Sequence, residues 1–478
     1  MNFNSLSFLI FLPLVVGIYW LTPHRFRWIP LLIASYYFYM SWNVRLVWLI
    51  FGTTLVSYGA SLLIEYKPAH KKLWLVLTLL VCLGVLAYFK YFTFFVNSAL
   101  SLWNRLTAGN FRLDLDILLP VGISFYTFQT LSYVIDVYRG EIPAEKHFGY
   151  YALFVSYFPQ LVAGPIESAG NLLPQLRQEH FASEEDFVTG VCQLLSGFFR
   201  KCVVADMCGV YVNRVFAAEG GAKGVAIFLG GALFCVQMYC DFAGYSEIAM
   251  GAARLMGVRL MRNFDRPYLA MSYGEFFRRW HISLNQWFTS YLYIPLGGSR
   301  CGRRKRIFNT VLVFGLCGLW HGASWNYVLW GLYAALFVSL EGVFLKPALQ
   351  ALKNRGLHPN EGGLGLLRRC IMFIIYIPAA ILFRAGSVEQ AVSLLRGLFT
   401  PWGSMEEAFA LMHMGGWDVV RLALSLWAMC LIDPLTREKE ERGTLPLNLY
   451  VYGVLLVLCC WISLLATDGN AAFAYFQF

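Results

Sequence analysis

An all-α, polytopic membrane protein is what this sequence predicts, and three observations carry the expectation. Hydrophobic residues fill 58% of the 478 positions and charged ones only 14%, with a mean hydropathy of +0.56. Apolar runs recur along the whole chain, several of them close to the roughly 20 residues that a spanning helix requires. Lys and Arg gather in the short loops between those runs, as the positive-inside bias of membrane insertion leads one to expect. Helix is the expected form because lipid offers no partner to a free backbone N–H or C=O.

The first run, Phe8 to Leu21, follows a short start without a basic residue and contains no small-residue cleavage site. It reads as a retained helix and not as a removed signal peptide. Further apolar segments follow at about 28–42, 46–64, 73–89, 91–103, 117–138, 148–164, 187–217, 224–257, 307–320, 324–345, 367–384, 417–433 and 447–466. About eleven spanning helices are expected from these, with short re-entrant or interfacial helices between them. Leu345–Gly365 and Pro434–Leu445 are the clearest polar interruptions, and REKEERG at 437–443 is expected to be a solvated loop. No repeat or low-complexity linker divides the chain, so 1–478 is expected to form one integral-membrane domain.

A net charge of +10 invites a nucleic-acid partner, but its placement argues against one. The cations sit at His24–Arg27, Lys67–Lys72, Arg139–Lys146 and Arg300–Arg306, each between apolar runs. Their alternation predicts an outside N-terminus, with the loops at 22–27, 66–72 and 139–147 in the cytoplasm. Membrane lipid is the partner this composition implies; nucleic acid is not. The twelve cysteines, among them Cys82, Cys192, Cys235, Cys317, Cys459 and Cys460, form no CxxC pair and no zinc-spaced cluster. They read as small apolar residues, and neither a metal site nor a bound cofactor is expected.

Two stretches stand apart. Val311–Val338 holds His321 as its only titratable group besides Cys317, Tyr327 and Tyr333. An ionisable residue at membrane depth is costly, faces the protein interior or a wet cavity, and is a functional-site hypothesis by default. The competing reading is a core histidine bonded to a backbone carbonyl. The second stretch, 263–300, is rich in aromatics but interrupted by Arg278, Arg279, His281, Asn285 and Gln286. It is expected to lie at the interface or in a polar-lined interior. On a helix Glu275 and Arg279 fall four apart and can pair, and Arg278 can pair with a nearby acid. Upstream, Asp241 and Glu247 interrupt another apolar run and need partners, expected among the arginines of that second stretch. A structural ion pair is favoured for them, because a lone buried carboxylate takes up a proton.

These pieces, in order, resemble one family. The matching stretches include FLIFLPLVVGIYW at 8–20, LLIASYYFYMSW at 31–42, FKYFTFF at 89–95 and LLPVGISFYTFQTLSYVIDVYRG at 118–140. YFPQLVAGPIESAGNLLPQL at 157–176 and QMYCDFAGYSEIAMG at 237–251 follow. The most telling are FFRRWHISLNQWFTSYLYIPLGG at 276–298 and GLWHGASWNYVLWG at 318–331. ILFRAGSVEQAVSLL at 381–395 and the terminal FAYFQF complete the set. The chain resembles the membrane-bound O-acyltransferase (MBOAT) family, in its bacterial branch of alginate and peptidoglycan O-acetyltransferase membrane subunits. Two departures are Thr289-Ser290, where the family often has Arg-Asp, and Cys240 and Ala243, where Phe and Ser are common.

The resemblance implies a funnel-like helical assembly whose core spans about 118–345, with His321 as catalytic histidine and His281 as the second active-site histidine. Acyl transfer to a hydroxyl requires a base for the hydroxyl proton and a donor for the developing oxyanion. His321 is the expected base, its apolar setting favouring an uncharged ring. His281 is expected to orient the acyl group or stabilise the oxyanion, with Asn285 a weaker candidate and Trp280 and Trp320 lining the substrate. No GxSxG elbow marks a nucleophile here, so direct transfer is simpler than a covalent intermediate. The branch implies acetyl-CoA as donor and an extracytoplasmic SGNH-type acetyltransferase as receiving partner, in a bacterial cytoplasmic membrane. D-alanyl transfer from an acyl carrier protein to teichoic acid stays open, and a proton-coupled transporter is a distant third.

Overall fold

The computed structural model describes residues 1–442, apart from 114, 116, 219, 357 and 400, together with 457–458 and 461–462. Helices and turns make up the described residues, with no strand among them. Six continuous helical stretches there are long and apolar enough to cross a membrane: Val44–Tyr66, Pro68–Thr107, Glu184–Phe216, Gly224–Arg254, Trp325–Asn354 and Gly362–Arg384. This is a multi-pass membrane protein.

The chain forms two compact units, Met1–Gly190 with Ala249–Met261, and Val191–Ile248 with Arg262–Phe478. In the first, helices run in order as α1 (Leu6–Leu21), α2 (Trp28–Met40), α3 (Val47–Tyr66), α4 (Lys71–Leu86) and α5 (Phe92–Thr107). Then come α6 (Ile123–Arg139), α7 (Phe148–Ser156) and α8 (Ala169–Arg177). α3 packs against α4 and α6 through a face of small residues that includes Thr53, Thr54, Ser57, Ala60 and Ser61. Small side chains let membrane helices approach closely and bond across the contact. Ser57 Oγ accepts from Tyr151 Oη at 2.7 Å and Ser61 Oγ from Tyr133 Oη at 3.2 Å. α6 is buried almost all round from Ile123 to Val137, which makes it a core helix. The 148–164 run, apolar enough in sequence for a long helix, is helical only as far as Ser156. Turns then occupy 158–164, where Gln160 packs so tightly on Gly164 that a Cβ there would lie 2.4 Å from Gln160 Cα.

The order continues with α9 (Glu184–Phe198), α10 (Asp206–Phe216), α11 (Gly224–Arg254), α12 (Tyr273–Arg279), α13 (Ile282–Phe288) and α14 (Arg303–His321). It ends with α15 (Trp325–Leu340), α16 (Lys346–Asn354), α17 (Gly362–Arg384), α18 (Val388–Gly397), α19 (Met405–Met412) and α20 (Gly416–Arg442). REKEERG is not a loop as far as Arg442: its Arg, Glu and Lys are good helix formers, and they carry α20 past Pro434. The 447–466 segment lies outside the described residues except at 457–458 and 461–462.

In the second unit the tightest packing is between α14 and α15. A Cβ on Gly318 would lie 2.1 Å from Tyr327 O, and one on Gly331 would lie 2.1 Å from Phe314 O. The helices therefore touch backbone to backbone, which only glycine permits. α15 in turn packs on α17, where Tyr333 Oη donates to Ile375 O at 2.8 Å and Asn326 Nδ2 donates to Ala385 O at 2.6 Å. This stack fixes the C-terminal end of α14, where His321 sits.

Gly318→Ala and Gly331→Ala are each expected to destabilise the detergent-purified protein by about 1–3 kcal/mol, the usual cost of overpacking. Gly315→Ala, whose Cβ would meet only Leu332 Cδ2 at 3.9 Å, is expected to change little. Thermal unfolding of the three variants checks this, and equal effects at all three positions would remove the close-approach argument.

Candidate active site

Two short helices, α12 and α13, meet at a break occupied by Trp280 and His281. Ser272 Oγ accepts the Glu275 N–H and caps α12, while Glu341, from a π-turn after α15, accepts the Gly274 N–H at 2.8 Å. At the break His281 adopts left-handed backbone angles, φ 45° and ψ 55°, and starts α13 by accepting the Asn285 N–H through its own carbonyl. A non-glycine residue there is uncommon and stores strain of about 1–3 kcal/mol unless its surroundings hold it. The segment 263–265 does the holding: Asp265 N–H donates to Arg279 O and Ile282 N–H to Asn263 O, both at 2.9 Å.

The His281 ring is 2% exposed and is gripped by Asn263 and Phe242. Its Nδ1 lies 3.2 Å from Asn263 Oδ1, and the Phe242 ring stands edge-on at 4.7 Å. His321 ends α14 at 7% exposure, with Trp330 at 5.1 Å and Phe383 at 5.3 Å, both edge-on. Trp320 joins the two histidines, its ring 5.9 Å from that of His281 and 5.1 Å from that of His321. The expected site residues His281, His321, Trp280 and Trp320 thus meet in one place.

Two cavities flank them. One, of about 60 Å³, is almost wholly apolar, with Phe242, Tyr268, Tyr376 and Phe383 in its lining. The other, of about 300 Å³, is more polar and is lined by His281, Arg278, Asn285, Thr289, Tyr293 and Thr310 among others. Four side chains border both: Phe277, Trp280, His321 and Trp330. His321 is therefore part of the wall between an apolar and a polar space. A buried concave site with few convergent polar groups is the usual form of a binding or active site.

Asn285 lines the larger cavity, with its Nδ2 donating to Phe277 O at 2.9 Å. Arg279 Nη2 bonds Glu275 Oε1 at 2.7 Å, four residues apart. Arg278 is exposed at the larger cavity and forms no ion pair among the described residues.

Asp241 and Glu247 do not pair with the arginines of α12. Lys201 Nζ bonds Asp241 Oδ1 at 2.9 Å and Asp206 Oδ1 at 2.7 Å, and Arg200 Nε bonds Glu247 Oε2 at 2.9 Å. The reason is the crossing of α9 and α11: a Cβ on Gly197 would lie 2.6 Å from Gly244 O. Asp241 and Glu247 lie three residues either side of Gly244, and Arg200 and Lys201 lie three and four beyond Gly197. The charges therefore face each other across that contact. Sequence reasoning missed these cations although the signal was present, two charges within an apolar run. It also missed Asn263, which no local pattern marks.

A model of the membrane-bound O-acyltransferase family matches residues 141–375, which include both histidines. The probable alginate O-acetylase AlgI of Pseudomonas putida is 33% identical across the full length of both chains. The chain belongs to the MBOAT family. The peptidoglycan O-acetyltransferase of Helicobacter pylori is 32% identical over 77% of this MBOAT chain and 73% of its own. A teichoic acid D-alanyltransferase of Bacillus subtilis is 26% identical over 47% of this chain and 60% of its own. As an MBOAT protein the molecule is an acyltransferase.

Removing Lys201 from this MBOAT protein leaves Asp206 and Asp241 buried without their shared cation. Lys201→Met is expected to cost about 3–5 kcal/mol, the penalty of uncompensated buried charge, and adding Asp241→Asn is expected to restore part of it. Thermal unfolding of the single and double variants measures both, and a stable Lys201→Met protein would remove the structural role of the triad.

Proposed function

We propose that the protein transfers an acetyl group from acetyl-CoA on the cytoplasmic side to a hydroxyl presented from the outer side of a bacterial cytoplasmic membrane. The observation that carries this is the place of His321 in the wall between two cavities of different polarity. A base that borders both spaces can meet a thioester and a hydroxyl without a covalent intermediate on the chain. In the step, the hydroxyl oxygen attacks the thioester carbonyl as His321 takes its proton. The tetrahedral intermediate then expels the thiolate, and the imidazolium returns the proton to it, giving free thiol and acetyl ester. Trp280, which borders both cavities, confines the reactants, while Trp320 packs against the two imidazoles and keeps them in place.

Acetyl transfer is favoured over D-alanyl transfer by the extent of resemblance. The alginate and peptidoglycan acetylases match across 77% or more of this chain, the D-alanyltransferases across about half of it. We assign the receiving hydroxyl to a separate extracytoplasmic acetyltransferase of SGNH type, which completes transfer to cell-wall or exopolysaccharide sugar.

His321→Ala is expected to lower acetyl ester content of surface polysaccharide at least 100-fold while the protein stays in the membrane, since a general base contributes about 10²–10⁴. Ester content measured in a deletion strain carrying the variant decides this. Unchanged acetylation would end the assignment of the base, and D-alanyl ester loss in its place would identify the other donor.

A further inference from the structure

Asn263 touches neither cavity, yet it determines what His281 can offer to one of them. Its side chain is fully buried, and its Oδ1 faces three groups: Ser283 N at 3.2 Å, Ser283 Oγ at 3.0 Å and His281 Nδ1 at 3.2 Å. A backbone N–H can only donate, so the Ser283 amide requires an acceptor there and fixes this atom as the oxygen and not the amide nitrogen. The amide nitrogen then lies 3.5 Å from Ser246 Oγ, on α11. An oxygen that only accepts demands a proton on His281 Nδ1. In a neutral imidazole the other nitrogen, Nε2, then carries a lone pair, because the hydrogen bond made by one ring nitrogen decides the state of the other.

We propose that Asn263 is a positioning residue that holds His281 in the Nδ1–H tautomer, so that Nε2 acts as a hydrogen-bond acceptor toward a substrate O–H or N–H in the larger cavity. The clamp has two parts. The backbone bond from Ile282 N–H to Asn263 O sets the left-handed turn, and the side-chain oxygen sets the ring. Phe242, edge-on at 4.7 Å, blocks rotation of the ring away from the oxygen. A neutral His281 so held cannot donate to an oxyanion, which sets aside the oxyanion-stabilising role expected from the resemblance. Its part is to accept an O–H or N–H of a reactant other than the attacking hydroxyl, whose one proton goes to His321, and so to hold that reactant in place. This extends the acyl-transfer reading given above, and it makes the polar cavity the place where that group sits.

The test reads the tautomer directly. Protein labelled with ¹⁵N at its histidine rings is studied by solid-state NMR in lipid bilayers, with the His281→Gln variant identifying the His281 signals. The expected spectrum has a protonated Nδ1 and an unprotonated Nε2 at His281; the reverse pattern overturns the proposal. Asn263→Leu removes the acceptor at similar size and is expected to populate both tautomers and to lower kcat about 10- to 100-fold, by analogy with losing a group that orients a metal-bound histidine. Asn263→Asp keeps an acceptor oxygen and is expected to keep the Nδ1 proton that the leucine variant loses. Wild-type kcat in Asn263→Leu overturns the positioning role. If that variant does not fold, the wild-type spectrum and the aspartate variant still decide. The tautomer is read without turnover, so a failure to find acetyl transfer would count against the proposed reaction and leave this assignment standing.

Discussion

The site depends first on two helices whose peptide groups touch. α14 and α15 meet at Gly318 and Gly331, where a single added carbon would collide with a carbonyl. In water such a contact would be one of many ways to bury surface. Between lipid-facing helices apolar burial drives little, and close van der Waals contact is the main attraction left. His321 closes α14 three residues beyond the first of those glycines, so its ring inherits a position set by the backbone. Trp330, one residue before the second glycine, is brought against it by the same contact.

Charge in the second unit follows a similar economy. The buried cations Arg200 and Lys201 arise from a π-turn, a form that displaces side chains from the regular helical stripe and often marks functional positions. They meet Glu247 and Asp241 across a glycine contact, and they leave the arginines of α12 for other work: Arg279 secures its own helix through Glu275, and Arg278 faces the polar cavity. Ion pairing is thus a property of the helix crossing, while the break at Trp280 and His281 is held by neutral hydrogen bonds. A neutral clamp keeps the ring's protonation independent of a fixed partner charge, as the acceptor role proposed for it requires.

The sequence made the helical membrane character and both histidines legible because each is a departure from local background. Long apolar runs stand out from an average chain, and an imidazole stands out within such a run. Motif order across the chain then carried the family. Asp241 was equally visible, but its partner was not, because which helices cross, and at which residue, is decided by glycine placement on two separate elements. Asn263 left no trace at all: an asparagine before an aromatic segment is ordinary, and its role exists only once the chain has doubled back eighteen residues later. The short α7 and the long α20 show the same limit. Hydropathy reports where lipid is tolerated, whereas helix length answers to tight turns in the first case and to helix-forming side chains in the second.

The wall of Phe277, Trp280, His321 and Trp330 has a consequence for the cell as well as for the reaction. A membrane that stores energy as an ion gradient tolerates no continuous wet path, and the reaction proposed above, with two polar reactants reaching one buried group, would invite such a path. Three of the four wall residues are aromatic rings, poor replacements for an ion's water shell, and the fourth is a single imidazole. In that reaction the partition would work as electrical insulation, thin enough for one acyl group to be handed across and too apolar for an ion to follow.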